Sequence, residues 1–384
     1  MFRRNFLSFA PKLAAFAAAP ALIRSAIAQE GLDAKTLTIG CSAALSGSLS
    51  GHGNGVKIGA EAAIAQINAK GGVQGRHLAL QIADDGYVPQ RTEANVKKMI
   101  GDGSVFALMS CLGTANNAAI MPMIDASSLP YLAPLTGASS LRKVGARNVF
   151  HVRASYTDET QRLVQKLVEM GIKDLGIVYL DNDFGKEVRA TASSVLQVQG
   201  LKYSAEAALA LDGSNLRDVV NQVMAGKPAA VLLGVAGSLS VELIAALKKV
   251  SPLMPLAGLS TTLSGQELKT LGALGSGMAL TMVFPDPYRA KIQVVRDYQS
   301  AMRAGGRDDF SQNSLESYIN TRVLAEALER AGRDVTRAKL RTALMSVQKF
   351  DLGGFSVDYS NVAPFVGSRY VDLGVLGAAG RFIG

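Results

Sequence analysis

The stretch KTLTIGCSAALSGSLSGHGNGVKIGAEAAIAQINAKGGVQGRHLALQIADD (residues 35–85) decides the fold. Residues 35–44 are β-rich and apolar and end in small side chains, the pattern of a buried strand. LSGSLSGHG (45–53) follows as a loop of Gly and Ser. Over 56–70, Val56, Ala60, Ala63, Ile64 and Ile67 recur on one helical stripe, and Gly71 and Gly72 stop it. HLALQIAD (77–84) alternates as a second strand. Strand, helix and strand in that order make a parallel crossover unit.

Outward from this unit the rhythm continues, with helices over 89–103 and 115–127 and strands over 105–111 and 130–134. It restarts at Phe150, with helices over 158–170, 185–199, 214–225 and 238–250. Between them lie strands over 174–180, 202–209 and 229–235, and 255–260 and 277–284 come after. Such succession implies parallel sheets with crossover helices. After Pro285-Asp286-Pro287 three helical segments come in a row, near 288–304, 313–331 and 336–348, before short strands over 350–358 and 368–377. A helical block outside both sheet rhythms means that the chain crosses back between lobes. The expected class is α/β: two Rossmann-like lobes with parallel sheets, joined by a hinge of several crossings. Residues 29–152 with 286–349 form the first expected lobe, and 153–285 with 350–384 the second. The gap between them makes a cleft.

Residues 1–28 stand apart from this pattern. Arg3 and Arg4 precede an apolar, Ala-rich run from Leu13 to Ile23 that is too short to span a bilayer. Ala26-Ile27-Ala28 suits a signal peptidase, so a signal peptide cut before Gln29 is expected. RRNFLS (3–8) resembles a twin-arginine export signal, and an ordinary secretory signal is the other reading. No Cys follows the cut, so no lipid anchor is expected, and the destination is the periplasm. The net charge of +9 falls by four when Arg3, Arg4, Lys12 and Arg24 leave with the signal. The remaining basic residues are scattered and lack aromatic interleaving, which argues against nucleic acid as a partner. Cys41 and Cys111 fall near ends of first-lobe strands, where neighbouring parallel strands aim side chains poorly for a bridge; two buried thiols are expected.

Enzyme chemistry is missing from the pattern. The histidines are His52, His77 and His151, and no nucleophile elbow, zinc-protease motif or phosphate loop occurs. DNDFG (181–185) starts like a calcium loop but lacks its later acidic ligands. No catalytic residue, metal or cofactor is therefore expected. Four loops rich in Gly, Ser and Thr fall instead at strand carboxyl ends: 45–53, 111–117, 134–140 and 152–160. Ligands of open α/β sheets bind there, and N–H groups, hydroxyls and helix N-termini suit a carboxylate.

These loops carry a resemblance. The chain resembles the type I periplasmic binding proteins, in the branch of Leu/Ile/Val-binding proteins and their amide- and urea-binding relatives. The resemblance rests on LSGSLSGHG, INAKGGVQGR (67–76), ADDGYVPQ (83–90), YLAPLTGAS (131–139), FHVRASYTDE (150–159), DNDFGKE (181–187) and the helix at 314–332. It implies that His52 lines the pocket from the first lobe, where the family often has Tyr. Thr114 matches a residue that bonds the ligand carboxylate, and Leu135, Thr136 and Gly137 match a loop that holds the same group. Tyr156 shares a loop with Asp158, which matches an acid that binds an ammonium in some relatives. Phe184 matches a second-lobe aromatic that closes over the ligand, whereas Glu316 and Tyr318 belong to the hinge side. Ser260 stands where the branch usually has the acid that holds an amino group. The resemblance thus implies a monomeric substrate-binding protein that hands a small apolar amino acid or related organic acid to the membrane permease of an ABC importer. A sensing subunit for a receptor kinase is the alternative.

Overall fold

The computed structural model describes residues 31–143, 146–360 and 363–383, so the expected signal peptide lies outside the described residues. The first lobe starts with β1 (Thr36–Ala43), α1 (Ser50–Asn68), β2 (His77–Asp84), α2 (Pro89–Gly101), β3 (Ala107–Met109), α3 (Thr114–Ser127), β4 (Tyr131–Leu132) and β5 (Val149–His151). The second lobe follows with α4 (Tyr156–Glu169), β6 (Leu175–Leu180), α5 (Asp183–Val198), β7 (Ala205–Leu209), α6 (Leu216–Ala225), β8 (Ala230–Gly234) and α7 (Ser238–Val250). It is completed by β9 (Leu256–Gly258), α8 (Gly265–Leu271) and β10 (Ala279–Met282). The chain returns to the first lobe as α9 (Gln293–Ala304), α10 (Gln312–Ala331) and α11 (Arg337–Met345). Short strands end it: β11 (Phe350–Asp351), β12 (Ser356–Val357), β13 (Phe365–Val366), β14 (Asp372–Leu376) and β15 (Phe382–Ile383).

The first sheet runs β13-β5-β4-β3-β1-β2 and is parallel throughout. The second runs β15-β14-β10-β9-β8-β6-β7, parallel except for its edge strands β14 and β15. Both sheets repeat one winding order. Each reverses direction once, between β1 and β3 and between β6 and β8. A crevice opens at the carboxyl ends of the strands where winding reverses.

Helix α1 begins at Ser50, six residues before the expected start at 56. Its glycines explain the difference. A Cβ on Gly53 would lie 1.9 Å from the Ala44 carbonyl oxygen, and one on Gly59 would lie 1.9 Å from that of Ser314. Glycine here permits close approach of α1 to the end of β1 and to α10; it does not mark a loop. His52, read as a loop residue, consequently sits in the first helical turn.

The tail also differs from expectation. Residues 350–360 and 363–366, grouped by sequence with the second lobe, join the first: β13 pairs with β5, and Leu352, Phe355, Val357, Tyr359 and Phe365 are buried in the first core. Phe365 stacks on Phe150 with ring centroids 4.8 Å apart, which ties the strand to that sheet. Only β14 and β15 enter the second sheet. Helix α8 was not anticipated either; Ser264 and Glu267 start it with a reciprocal capping box. Cys41 and Cys111 are free and buried, as expected. Among the described residues no helix is long and apolar enough to cross a membrane.

Candidate ligand-binding site

A small cavity of about 30 Å³ lies between the lobes, walled by the loops at the strand carboxyl ends. The first lobe contributes Leu49 and His52 after β1, Tyr87 after β2, Leu112, Gly113 and Thr114 after β3, and Leu135 after β4. Tyr156 enters at the start of α4, and the second lobe adds Phe184 after β6, Ala236 after β8 and Thr261 after β9. A wider cavity of about 310 Å³, bordered by Asn54, Gln266, Lys269 and Asp309, opens beside α1.

Polar groups converge at the start of α3. The Thr114 hydroxyl lies 2.9 Å from that of Thr136, which is fully buried behind it. Thr136 in turn accepts from the Ala138 N–H at 3.2 Å. Leu135 pairs with Leu112 in a parallel bridge, so its N–H donates to Cys111 and its carbonyl accepts from Gly113. Leu135 therefore presents side chain to the cavity, not main chain. Gly137 supports the wall from behind: a Cβ there would sit 2.6 Å from the ring and main chain of Tyr156. The N-terminal end of α3 carries a partial positive charge beside the Thr114 hydroxyl.

His52 is 1% exposed, and its Nε2–H donates to the Thr261 carbonyl oxygen at 2.9 Å. That bond joins the two lobes across the cleft. A second link is the Ser238 N–H donating to the Ser48 carbonyl at 2.9 Å. Burial lowers the His52 pKa, with the Glu267 carboxylate, 3.8 Å from Nδ1, pulling the other way. Tyr156 meets Phe184 edge to face with centroids 4.8 Å apart, which closes the apolar side of the cavity.

Asp158 and Ser260 lie elsewhere. The Asp158 carboxylate receives the Ser155 N–H at 2.9 Å and hydroxyl at 2.6 Å, and Arg369 reaches its other oxygen at 3.3 Å. It caps α4 and does not line the cavity. The Ser260 hydroxyl accepts from Arg153 at 2.6 Å, within a buried charge cluster. Arg153 also bridges Glu159 at 3.2 Å and Glu316 of α10 at 3.4 Å, all three side chains nearly inaccessible. Glu159 further accepts from the Ser260 N–H at 2.9 Å and the Thr281 hydroxyl at 2.5 Å. Burial pushes the Glu316 carboxyl up to about 7, against the pull of Arg153. The two carboxylates raise Arg153 although burial opposes its charge. The cluster thus ties the first crossing to both lobes.

Sequence reasoning missed Tyr87, Thr261, Arg153 and Glu159. Tyr87 stood in the quoted ADDGYVPQ stretch, and its φ of 65° marks a special turn held by the Asp85 carboxylate. Arg153 and Glu159 stood in FHVRASYTDE, but nothing local shows that they meet residues more than a hundred positions away. Among the described residues no group of His, Cys, Asp and Glu could hold a metal ion.

The comparisons agree with this architecture. The model of the periplasmic binding protein family matches residues 36–363. The chain is 28% identical to the Leu/Ile/Val-binding protein BraC3 of Rhizobium johnstonii, over 43% of this chain and 45% of that one. It spans less than half the length of the first such curated relatives. With the leucine-, isoleucine-, valine-, threonine- and alanine-binding protein of Pseudomonas aeruginosa it shares 24% identity over 81% of this chain and 83% of that one. A crystal structure of a substrate-binding periplasmic protein from Ralstonia solanacearum superposes with a TM-score of 0.85 at 29% identity, covering 90% of this chain and 99% of that one. Two equally wound lobes, a cavity at their switch points and these matches lead to one conclusion: the chain belongs to the periplasmic binding protein family, with the type I fold and kinship to its branched-chain amino acid-binding members.

Proposed function

We propose that this protein is the extracytoplasmic substrate-binding protein of an ABC importer, capturing a small carboxylate by closure of two lobes. One observation carries the reading. The cavity takes its walls from both lobes, which are latched by His52 to Thr261 and by Ser238 to Ser48. A ligand in it can enter or leave only when the lobes part, and ligand contacts made only in the closed form drive closure. Thr114, backed by Thr136 and the α3 N-terminus, holds the carboxylate. Leu135, Tyr156 and Phe184 cover its apolar body, with Gly137 keeping the Tyr156 ring in place. Residues 1–28 act as the export signal, the mature monomer works in the periplasm, and its closed form docks on the membrane permease. No chemical step is needed.

The test is a thermal-shift and calorimetric screen of the purified chain against amino acids, aliphatic acids, aromatic acids and amides, with small-angle scattering to follow closure. Saturable binding of a carboxylate with compaction is expected. Binding confined to urea or a simple amide, or binding without compaction, defeats the reading.

A further inference from the structure

We propose that the ligand of this cleft carries a carboxylate and an apolar body but no amino group: a simple aliphatic or aromatic monocarboxylate. The proposal rests on the capture reading above and narrows it.

The argument follows the acids. An α-ammonium taken out of water needs an anionic partner or several carbonyl acceptors. Among the described residues no Asp or Glu lines the cavity. The carboxylates nearest to it are engaged elsewhere. Asp85 accepts from the Ser42 and Thr92 hydroxyls at 2.8 and 2.9 Å and from the Tyr87 N–H at 2.9 Å. Asp158 caps α4 and meets Arg369. Glu159 and Glu316 neutralise Arg153, and Glu267 accepts from the Ser264 N–H at 2.7 Å at the start of α8. Ser260 offers no substitute, because its hydroxyl faces the Arg153 guanidinium at 2.6 Å.

Three carbonyls around the cavity are engaged as well. The Thr261 oxygen accepts from His52, the Leu135 oxygen from the Gly113 N–H, and the Gly113 oxygen from Asn117. At this point of the second lobe, His52 holds the acceptor that an ammonium would need. What remains for a ligand is the Thr114 hydroxyl, the neutral and unpartnered hydroxyl of Thr261, the positive end of α3, and apolar or aromatic walls from Leu49, Leu112, Tyr156 and Phe184. This arrangement recognises an anion with a hydrocarbon body and rejects a zwitterion, since a buried cation would stay unpaired.

The experiment is isothermal titration of the purified full chain, unfolded and refolded to strip carried-over ligand, with matched pairs: leucine against 4-methylpentanoate, and phenylalanine against 3-phenylpropanoate. Each pair differs only in the amine. At least one amine-free acid is expected to bind roughly 100-fold more tightly than its amino-acid partner. Thr114→Val should weaken that acid by about 10- to 100-fold, which places its carboxylate. If leucine or phenylalanine binds as tightly as its amine-free partner, the proposal is overturned while capture of a carboxylate stands. If no member of either pair binds, and aliphatic and aromatic acids of other lengths also fail, both the proposal and the capture reading fall.

Discussion

His52 and Thr261 share one hydrogen bond of 2.9 Å across the cleft, from an imidazole of the first lobe to a main-chain oxygen of the second. Burial holds the imidazole neutral by lowering its pKa from 6.5, in spite of Glu267 nearby. A histidine whose folded-state pKa is depressed stabilises the closed form fully above its ordinary value. That stability is lost as pH falls through the depressed value. Ligand affinity, followed by calorimetry from pH 8 to pH 5, should be flat above about 6.5 and fall below it. In His52→Gln the fall should vanish. An unchanged acid limb in the variant would assign it to another group.

The hydroxyls of Thr114 and Thr136 form a pair, so their effects on binding should not add. Thr114→Val is expected to cost roughly 1.5–3 kcal/mol of affinity, the loss of a hydrogen bond to a charged group. Thr136→Val should cost less, and the double variant less than the sum. Strict additivity in the cycle would mean that each hydroxyl acts alone.

The Arg153 cluster makes two predictions through one group of charges. Arg153→Met leaves Glu159 and Glu316 buried without a cation, and should destabilise the fold by about 3–5 kcal/mol. Glu316 is raised from 4.5 to about 7 by burial, so its contribution to stability is complete below its unfolded value and is lost as pH rises through about 7. Urea midpoints of the parent protein should therefore drop between pH 5 and pH 8 more than those of Glu316→Gln. Parallel pH profiles would show that Glu316 stays ionised throughout.

Gly59 touches α10 where a Cβ would meet the Ser314 carbonyl oxygen at 1.9 Å. Gly59→Ala should force α1 outward and cost roughly 1–3 kcal/mol, read as a lower urea midpoint. Gly101→Ala, where nothing lies within 4 Å of the added carbon, should be neutral or slightly stabilising. Equal effects of the two would remove the packing explanation for the glycines of α1.

The sequence alone determined the α/β class, the succession of strands and helices, and the strand-end loops that hold Thr114, Leu135, Tyr156 and Phe184. Those signals are short-range: hydrophobic periodicity, glycine stops and loop composition act within a few residues of one another. Where two local signals coincide, as in the glycines at 51 and 53, composition pointed to a loop and packing made a helix. Only the tertiary structure decided which polar groups are free. Asp158 looked available in sequence and is engaged by a capping box; Ser260 looked like a vacancy and is filled by Arg153. The partners of Arg153 lie on α4, after β9 and on α10, up to 163 positions away. Whether a buried charge meets its counter-charge or a ligand depends on distances of a few ångströms, and those exist only once both lobes have folded and met.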